Sequence, residues 1–251
     1  MIEMQYKVFK TEIGALDKML GGGLMDDGIL LIIYDTGSYG WALGVEIFRR
    51  FLERDWFGMI TNYSMPYSLL KKYGLAVRFP LEEFGRAGRL AVVDVFGSVN
   101  GVKLNEPFVY YLGQLDSGTY LPKMLALYSK IIANRPRRIG LTVTVDGFVE
   151  TFGEENAMRI LKRNMALREG SERPGHEGVL NVFLINRDRV SRRFLSWISQ
   201  YAEHILETRP TGRPGVEELT VLKSLLPDFE PSTGTFRFKK GRICIQSSGP
   251  G

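Results

Sequence analysis

The chain has very few residues of the kinds that build covalent cross-links or metal sites. It contains one cysteine, Cys244, and two histidines, His176 and His204, among 251 residues. One cysteine excludes an internal disulfide and a cysteine-based metal site. Together with the lack of a signal-peptide pattern, it predicts a reduced, cytoplasmic setting. Neither histidine has acidic residues at ligand spacing, so surface or core roles are expected for both, and no metal site is predicted.

Long hydrophobic runs and a one-sided charge are also missing. The longest apolar run, Ile29–Tyr34, is far shorter than the ~18 residues of a membrane span, so no membrane partner is expected. The formal charge is +5 and the pI about 9.2, a mild excess of cations that permits nucleic-acid contact without arguing for it. Hydrophobic residues make up 44% of the chain, enough for a sizeable core.

Apolar strands alternate with amphipathic helices over most of the chain. This rhythm favours a largely parallel α/β sheet with helices on both faces. The first strand, Ile29–Tyr34, precedes a helix whose apolar stripe is Trp41, Val45, Phe48 and Leu52. Further strands are predicted at Phe57–Tyr63, Leu90–Phe96, Ile139–Val145 and Leu180–Ile185, and further helices at Tyr67–Tyr73 (closed by Gly74), Tyr120–Ala133, Glu154–Arg168 (capped by Gly170) and Phe194–Glu203.

The pattern changes after His204. Short alternating segments are predicted to form antiparallel strands that extend one edge of the parallel sheet, with a hairpin turn at Lys239-Lys240-Gly241. These segments are Glu218–Leu222, Thr235–Lys239 and Arg242–Ile245. The whole chain, 1–251, is thus predicted to be one domain, with a lead-in at 1–28, an α/β core at 29–208, a β extension at 209–246 and a frayed tail at 247–251.

The segment Ile29–Gly44, ILLIIYDTGSYGWALG, has the layout of a phosphate-binding P-loop: a strand, a glycine-bearing turn and a helix. The pattern G-x-x-x-x-G-K-[ST] places a lysine on the phosphates and a hydroxyl on Mg²⁺. Laid over Tyr34–Trp41, the lysine position holds Gly40, the hydroxyl position holds Trp41, and Tyr39 stands at the second glycine. The sequence predicts the framework of an ATPase without the side chains that hold ATP.

The segment Thr11–Ile32, TEIGALDKMLGGGLMDDGILLI, resembles the signature before the first core strand in the KaiC-like branch of the RecA superfamily, roughly T-G-[IV]-x-x-L-D-x-x-[LI]-x-G-G-[IL]-x-x-G. Glu12 replaces the first glycine. The resemblance continues to Glu218–Ile245 and covers nearly the whole chain. It implies a RecA-like P-loop NTPase fold. The matching residues are Ile13, Leu16, Asp17, Leu20, Gly22, Gly23, Leu24 and Gly28.

The resemblance also implies which catalytic groups to look for. The family's paired glutamates follow its second core strand, but the matching stretch, Ile60–Pro66, holds no acid. The Walker B aspartate has a counterpart in Asp146. A family Lys-x-Arg motif reaches a neighbouring subunit's γ-phosphate; Lys223 matches its lysine, and Leu225 takes the arginine position. Phosphoryl transfer depends on positioned positive charge and an oriented nucleophile. The absence of the lysine, the Mg²⁺-binding hydroxyl, the paired glutamates and the arginine therefore predicts a site that no longer catalyses ATP hydrolysis.

The leading hypothesis is therefore a KaiC-like pseudo-ATPase that acts as a scaffold or regulatory subunit, as a homo-oligomer or with an active KaiC-like relative. No catalytic residue, metal or cofactor is expected. The alternative is a non-canonical ATP- or nucleotide-binding protein with weak or no hydrolysis, because backbone N–H groups at a helix N-terminus favour anions. The vestigial nucleotide site would consist of Thr36, Gly37, Ser38, Tyr39, Gly40, Trp41, Asp146 and Lys223.

Three further features keep alternatives open. Two arginine-rich runs are compatible with nucleic-acid binding, as in RecA relatives, or with solvated helix ends and subunit interfaces. The loop Gly97–Thr119, with Phe108, Tyr110 and Tyr111, is either a partner-binding insertion or a lid over its own sheet. Asp94 at a strand end is expected to be structural. The arginine runs are Arg135-Pro136-Arg137-Arg138 and Arg187, Arg189, Arg192 and Arg193.

Overall fold

The computed structural model describes residues 6–169 and 177–247. The predictions for His176, for the helix cap at Gly170 and for the tail beyond Ser247 lie outside these residues. The strands are β1 (Val8–Phe9), β2 (Leu24–Met25), β3 (Gly28–Tyr34), β4 (Phe57–Asn62), β5 (Leu90–Asp94), β6 (Val109–Tyr110), β7 (Arg137–Val143), β8 (Gly178–Asn186), β9 (His204–Pro210), β10 (Val216–Ser224), β11 (Ser232–Lys239) and β12 (Arg242–Ser247).

The helices connect these strands and lie on both faces of the sheet. A short 3₁₀ turn, Arg187–Arg189, follows β8. The helices are α1 (Gly14–Leu20), α2 (Gly40–Leu52), α3 (Tyr67–Ala76), α4 (Leu81–Arg86), α5 (Val95–Val99), α6 (Tyr120–Ile131), α7 (Val145–Phe152), α8 (Glu154–Glu169) and α9 (Arg192–Gln200).

One ten-stranded sheet organises the molecule, in the order β12-β11-β10-β9-β3-β8-β7-β4-β5-β6. From β9 to β6 all pairings are parallel, whereas β10, β11 and β12 add to the β9 edge in antiparallel fashion. The predicted mixed sheet is therefore confirmed. The predicted hairpin turn is also present, and Lys240 and Gly241 both have positive φ there, as a tight hairpin requires.

Both faces of the parallel sheet are covered, which is why β3 reads as an unbroken apolar run. Leu30 and Ile32 point into the core under α1 to α4. Leu31 and Ile33 point into a second core under α6 to α9. The side chains of β3 alternate between these two cores, so the strand is buried along its length, and its carboxyl end is the fixed point from which the candidate site is built.

Several predicted boundaries are wrong for identifiable reasons. Gly74 does not end its helix, because α3 continues to Ala76; its lack of a side chain leaves room for the carbonyl oxygen of Phe79, 3.0 Å from where a Cβ would stand. The strand predicted to reach Val145 ends at Val143, and the chain turns at once into α7. The short helices α4, α5 and α7 were not predicted, since they offer few apolar repeats.

The lead-in segment is tied down by the residues that carry the family resemblance. The Thr11 N–H and hydroxyl both donate to Asp17 Oδ1, at 2.7 Å each. Glu12, which stands where the signature has glycine, has φ 62°, a conformation that favours glycine. The glycine preference at this position is thus conformational.

Candidate functional site

The candidate site lies at the carboxyl edge of the parallel sheet, where ligands bind in open α/β folds. Its centre is the loop of residues 35–39, which links β3 to the N-terminus of α2. The ends of β8, β7 and β4 lie along the same edge, in register with β3. This edge therefore brings most of the predicted site residues together.

The donors of the loop bind a carboxylate from the same chain. Glu217 of β10 accepts hydrogen bonds from the Ser38 hydroxyl at 2.6 Å and from the Tyr39 N–H at 2.5 Å. The Ser38 hydroxyl also contacts Thr208 Oγ1 at 2.9 Å and accepts from the Gly40 N–H at 3.0 Å. Glu217 is only 3% exposed. A buried negative charge thus lies against the N-terminal end of α2, where the helix dipole stabilises it.

No space is left for a side chain at Gly40. A Cβ there would overlap Thr208 Oγ1 and would lie 2.6 Å from Tyr34 Cβ. The neighbouring Tyr39 has φ −91° and ψ 12°, so it avoids the left-handed conformation that would strain a tyrosine. Its ring stacks on Phe238 of β11 at 4.8 Å between centroids. The β extension therefore packs directly on the loop.

The outer part of the loop is held by β8 and the turn after it. The Thr36 N–H donates to Asp188 Oδ2 at 2.7 Å, and Asn186 Nδ2 donates to Thr36 Oγ1 at 3.1 Å. Hydrogen bonding to Thr36 lowers the pKa of Asp188. Gly37 has φ +85°, and no other group lies within 4 Å of where a Cβ would stand, so this residue forms an open corner of the loop.

Asp146 lies near the loop but is already paired. It stands in the first turn of α7, with 1% of its surface exposed, and not at the end of a strand as predicted. Asp146 Oδ1 accepts from the Asn186 N–H at 3.0 Å, and its other oxygen pairs with Arg189 at 2.9 Å. Its carboxylate therefore stabilises the turn after β8.

Lys223 does not join the other predicted site residues within this chain. It lies near the end of β10, where Lys223 pairs with Ile205 at the start of β9, whereas the loop lies at the opposite end of that strand pair. Its ammonium group is 3.4 Å from the carbonyl oxygens of Ser199 and Gln200. In this chain Lys223 therefore binds the C-terminal end of α9.

A cavity of about 690 Å³ opens beside the loop, between α2 and α3. Ser38 and Tyr39 belong to its lining, but Glu217 and Thr208 do not, so the loop separates the buried carboxylate from the cavity. Polar groups from three strand ends, Ser64, Thr144 and Asn186, also face it. The rest of the lining is mostly apolar and includes Trp41, Val45, Ile60, Leu70, Tyr73, Phe79, Leu141, Val143 and Leu184.

Trp41 forms one wall of this cavity. It is half-buried and packs edge-to-face on Tyr73 of α3, with 4.6 Å between ring centroids. Phe238 lies 6.3 Å from the same ring. The prediction that Trp41 packs in the core is therefore only partly right, because one side of the indole borders open space.

His204 and Asp94 have structural positions, as expected. The Met25 N–H donates to His204 Nε2 at 2.9 Å, while Nδ1 contacts Ser224 Oγ, which itself donates to the Leu20 carbonyl. Burial lowers the pKa of His204 to about 4, with a smaller contribution from nearby Lys223. Asp94 accepts from the Gly97 N–H at 3.1 Å and caps α5, and burial raises its pKa.

Both arginine runs contain residues that are paired within the chain. In the second run Arg187 pairs with Asp35 and Glu207, and Arg193 pairs with Glu155 at 2.6 Å. In the first run Arg137 pairs with Glu177 at 3.5 Å, and Arg135 lies over the Phe57 ring at 4.7 Å from its centroid. Part of the positive charge of each run is therefore already neutralised.

The long loop Gly97–Thr119 is folded against the molecule. Phe108 is buried beneath α4, close to Gly85, and the Tyr111 hydroxyl accepts from the Leu104 N–H at 2.8 Å. Tyr110 forms part of β6. These contacts fit the lid interpretation, and a partner-binding role stays a prediction.

Two general features bear on the kind of site. Across residues 6–169 and 177–247, no group of three or more His, Cys, Asp or Glu side chains is placed to hold a metal ion. None of the helices in the described part of the chain is long and apolar enough to cross a membrane.

Comparison with known proteins identifies the fold. No family model and no curated protein matches the chain. Among solved structures, an uncharacterised Pyrococcus horikoshii protein, PH0321, has 25% sequence identity and a TM-score of 0.81, over 96% of this chain and 100% of that one. That protein was crystallised in complex with an unknown peptide.

Two further structures carry functional names. The KaiC-like protein PH0186 from Pyrococcus horikoshii has 14% identity and a TM-score of 0.71, over 96% of this chain and 99% of that one. The flagellar accessory protein FlaH from Methanocaldococcus jannaschii has 14% identity and a TM-score of 0.67, with the same coverage. The chain thus has the fold of the KaiC-like protein and of FlaH, as its sequence predicts.

Proposed function

We propose that this protein is a KaiC-like pseudo-ATPase that works as a scaffold or regulatory subunit by binding another protein. The observation that carries the proposal is the position of Glu217. Its buried carboxylate accepts hydrogen bonds from Ser38 and Tyr39, the loop donors that a phosphate would need. An internal anion here both satisfies the donors and repels a phosphate.

The rest of the loop also fails to fit a Mg²⁺-bound triphosphate. The lysine of an active P-loop would stand at Gly40, where Thr208 and Tyr34 leave no room for a Cβ. Trp41 stands at the position of the Mg²⁺-binding hydroxyl and forms a cavity wall. We therefore derive no phosphoryl-transfer step for this chain.

Association with another protein is supported by the cavity and by one structural neighbour. An exposed or partly open apolar cavity is a common site for apolar ligands and protein side chains. PH0321, which has the same fold, was crystallised with a peptide. A second copy of this chain or an active KaiC-like relative is the partner that we propose to test first.

The test is thermal unfolding of the purified protein with and without Mg²⁺-ATP. A ligand that binds only the folded state at 100 times its Kd adds about 2.7 kcal/mol of stability. For a chain of this length that is a rise of roughly 5–10 °C in Tm. We expect a rise below about 1 °C and no release of phosphate.

Hydrolysis by the purified protein, or a Tm rise of several degrees with ATP, would contradict the proposal. A Tm rise without phosphate release would favour the alternative, a nucleotide-binding protein that does not hydrolyse. The proposed association with another protein is tested by sedimentation velocity of the protein alone and of its mixture with a KaiC-like relative from the same cell.

A further inference from the structure

We propose that the cavity beside the loop receives an apolar side chain from an acidic segment of a partner protein. This inference rests on the proposed function, association with another protein, and adds the chemistry of the segment that is bound. Three observations carry it: the character of the cavity walls, a cluster of unpaired cations at its mouth, and the packing that joins the two.

The cavity walls suit an aliphatic or aromatic side chain. Aliphatic residues of α2, β4 and β7 form its floor, and aromatic side chains of α2 and α3 form its sides. At its rim, Leu69 of α3 is 39% exposed. A volume of about 690 Å³ is within the usual range for ligand pockets, ~300–1,000 Å³. An apolar group that enters would remove both the walls and Leu69 from water.

The charge at the mouth is of one sign. Lys72 belongs to the lining and is exposed, and the other charged lining residue, Arg189, is already paired with Asp146 and Glu150. No acidic residue lines the cavity in the part of the chain that the structure describes. Within the same residues, three exposed cations near the mouth form no ion pair: Lys72 of the lining, and Arg78 and Lys240 beside it.

Contacts between α3 and the β11–β12 hairpin place these cations on one surface. Arg78 Nε donates to the Lys240 carbonyl at 3.1 Å. Gly241 comes so close to α3 that a Cβ there would lie 2.8 Å from the carbonyl oxygen of Ala76, itself a lining residue. The turn of the hairpin therefore holds Lys240 beside the cavity wall. Such a surface is complementary to carboxylates that flank an apolar anchor.

A protein segment fits this surface better than a nucleic acid does. Bases bind by stacking on aromatic faces that are open to solvent. Here the Tyr39 face is already stacked on Phe238, and Trp41 packs against Tyr73. The apolar surface is inset between two helices, where a protruding side chain reaches it. Binding of a single-stranded nucleic acid is the competing outcome of the test.

The experiment measures binding of fluorescein-labelled peptides by anisotropy. The probe is GDELFDEG, which has carboxylates on both sides of an apolar pair. One control peptide, GKKLFKKG, reverses the charge, and the other, GDEAADEG, removes the anchor. We expect the probe to bind at least about tenfold more tightly than either control peptide, since each lacks one of the two complementary features. A labelled thymidine oligonucleotide is tested in the same assay.

Matched variants locate the site. The double change Lys72→Glu and Lys240→Glu reverses two charges at the mouth and is expected to weaken probe binding about tenfold. Lys162→Glu changes an exposed lysine of α8 and is the charge control, with binding expected to change less than about twofold. Far-ultraviolet circular dichroism and Tm confirm that each variant is folded, since substitutions of exposed side chains change stability little.

Equal binding of the three peptides, equal loss in the Lys162→Glu control, or preferential binding of the oligonucleotide would overturn the inference. These outcomes are separate from the failure of the proposed function, which is read from ATP binding and hydrolysis. If the protein binds neither ATP nor the acidic probe, the proposed function stands and this inference is wrong. If it hydrolyses ATP but binds the probe, the proposed function is wrong and this inference stands.

Discussion

The two sides of the loop between β3 and α2 differ in almost every physical respect. Towards β9 and β10 the loop is closed, and Glu217, Ser38 and Thr208 form a buried hydrogen-bonded cluster. Towards α3 the loop borders a largely apolar cavity with unpaired cations at its mouth. The donors of one loop can thus be satisfied by an acceptor from the same chain on one side while the surface on the other side stays open.

The largest expected effect comes from breaking the closed side. Glu217→Ala removes the acceptor of two hydrogen bonds to a charged group, worth ~1.5–3 kcal/mol each, so we expect a loss of about 4 kcal/mol in the free energy of unfolding. Urea unfolding measures the loss. Glu218→Ala is the matched control, since the neighbouring side chain is exposed and should change stability by less than ~0.5 kcal/mol.

The same variant gives a second test of the closed side when an anion is added. With Glu217 gone, inorganic phosphate should raise the Tm of the variant but not that of the unchanged protein, because only the variant has free loop donors. If Glu217→Ala is as stable as the unchanged protein, the carboxylate does not hold the loop, and the two sides differ less than their contacts indicate.

The next largest effect concerns His204, which is buried away from the loop. Its contribution to stability can be compared with that of Glu217 on the closed side. The pKa of His204 is lowered to about 4 in the folded protein, against ~6.5 in the unfolded chain. A lowered folded-state pKa means that the stability it supports is present above pH ~6.5 and is lost as the pH falls towards 4. The loss should reach about 3 kcal/mol.

Urea unfolding at pH 7.5 and at pH 4.5 measures this loss. His204→Gln keeps an acceptor for the Met25 N–H but does not titrate, so its stability should fall less between the two pH values. Equal pH dependence in both proteins would show that other groups cause the acid sensitivity.

The smallest effect tests whether a side chain can be accommodated at Gly40, the lysine position of the P-loop pattern. Gly40→Ala adds one methyl group where Thr208 and Tyr34 already pack, and overpacking of this kind costs about 2 kcal/mol. Gly14→Ala is the control, because nothing lies within 4 Å of its added Cβ. A Gly40→Ala protein of unchanged Tm would mean that the closed side can shift to make room for a Cβ at this position.

Much of the fold could be predicted because its strands, helices and turns depend on residues that are close together in the sequence. The buried run of β3, the periodic helix after it and the turn at Lys240 and Gly241 each depend on neighbouring residues. The short helices α4, α5 and α7 could not be predicted, since few apolar repeats distinguish them from loops. The predicted end of α3 at Gly74 was wrong because the glycine is required by a tight contact with Phe79 and not by the end of the helix.

The candidate site was predictable in its position but not in its contents. The order of strand, loop and helix located Ser38, Tyr39 and Gly40 correctly at the carboxyl edge. Glu217 was missed, because its partners are 178 and 179 residues away in sequence. A signal was present: Glu217, Leu219 and Val221 alternate along β10, so a charged residue occupies a core-facing position. Only the sheet order reveals what it faces.

The hairpin of β11 and β12 has a consequence for how the protein is made. Arg78 and Lys240, which are joined by a hydrogen bond from the Arg78 side chain to the Lys240 carbonyl beside the cavity, are 162 residues apart in sequence. Because synthesis proceeds from the N-terminus, the chain that first emerges from the ribosome has the loop and α3 but neither Glu217 nor the hairpin. The loop acquires its carboxylate 179 residues after Ser38 has been made, and the hydrogen bond from Arg78 forms only once Lys240, 162 residues later, has been added. Binding by this surface therefore requires that β10, β11 and β12 have already been synthesised.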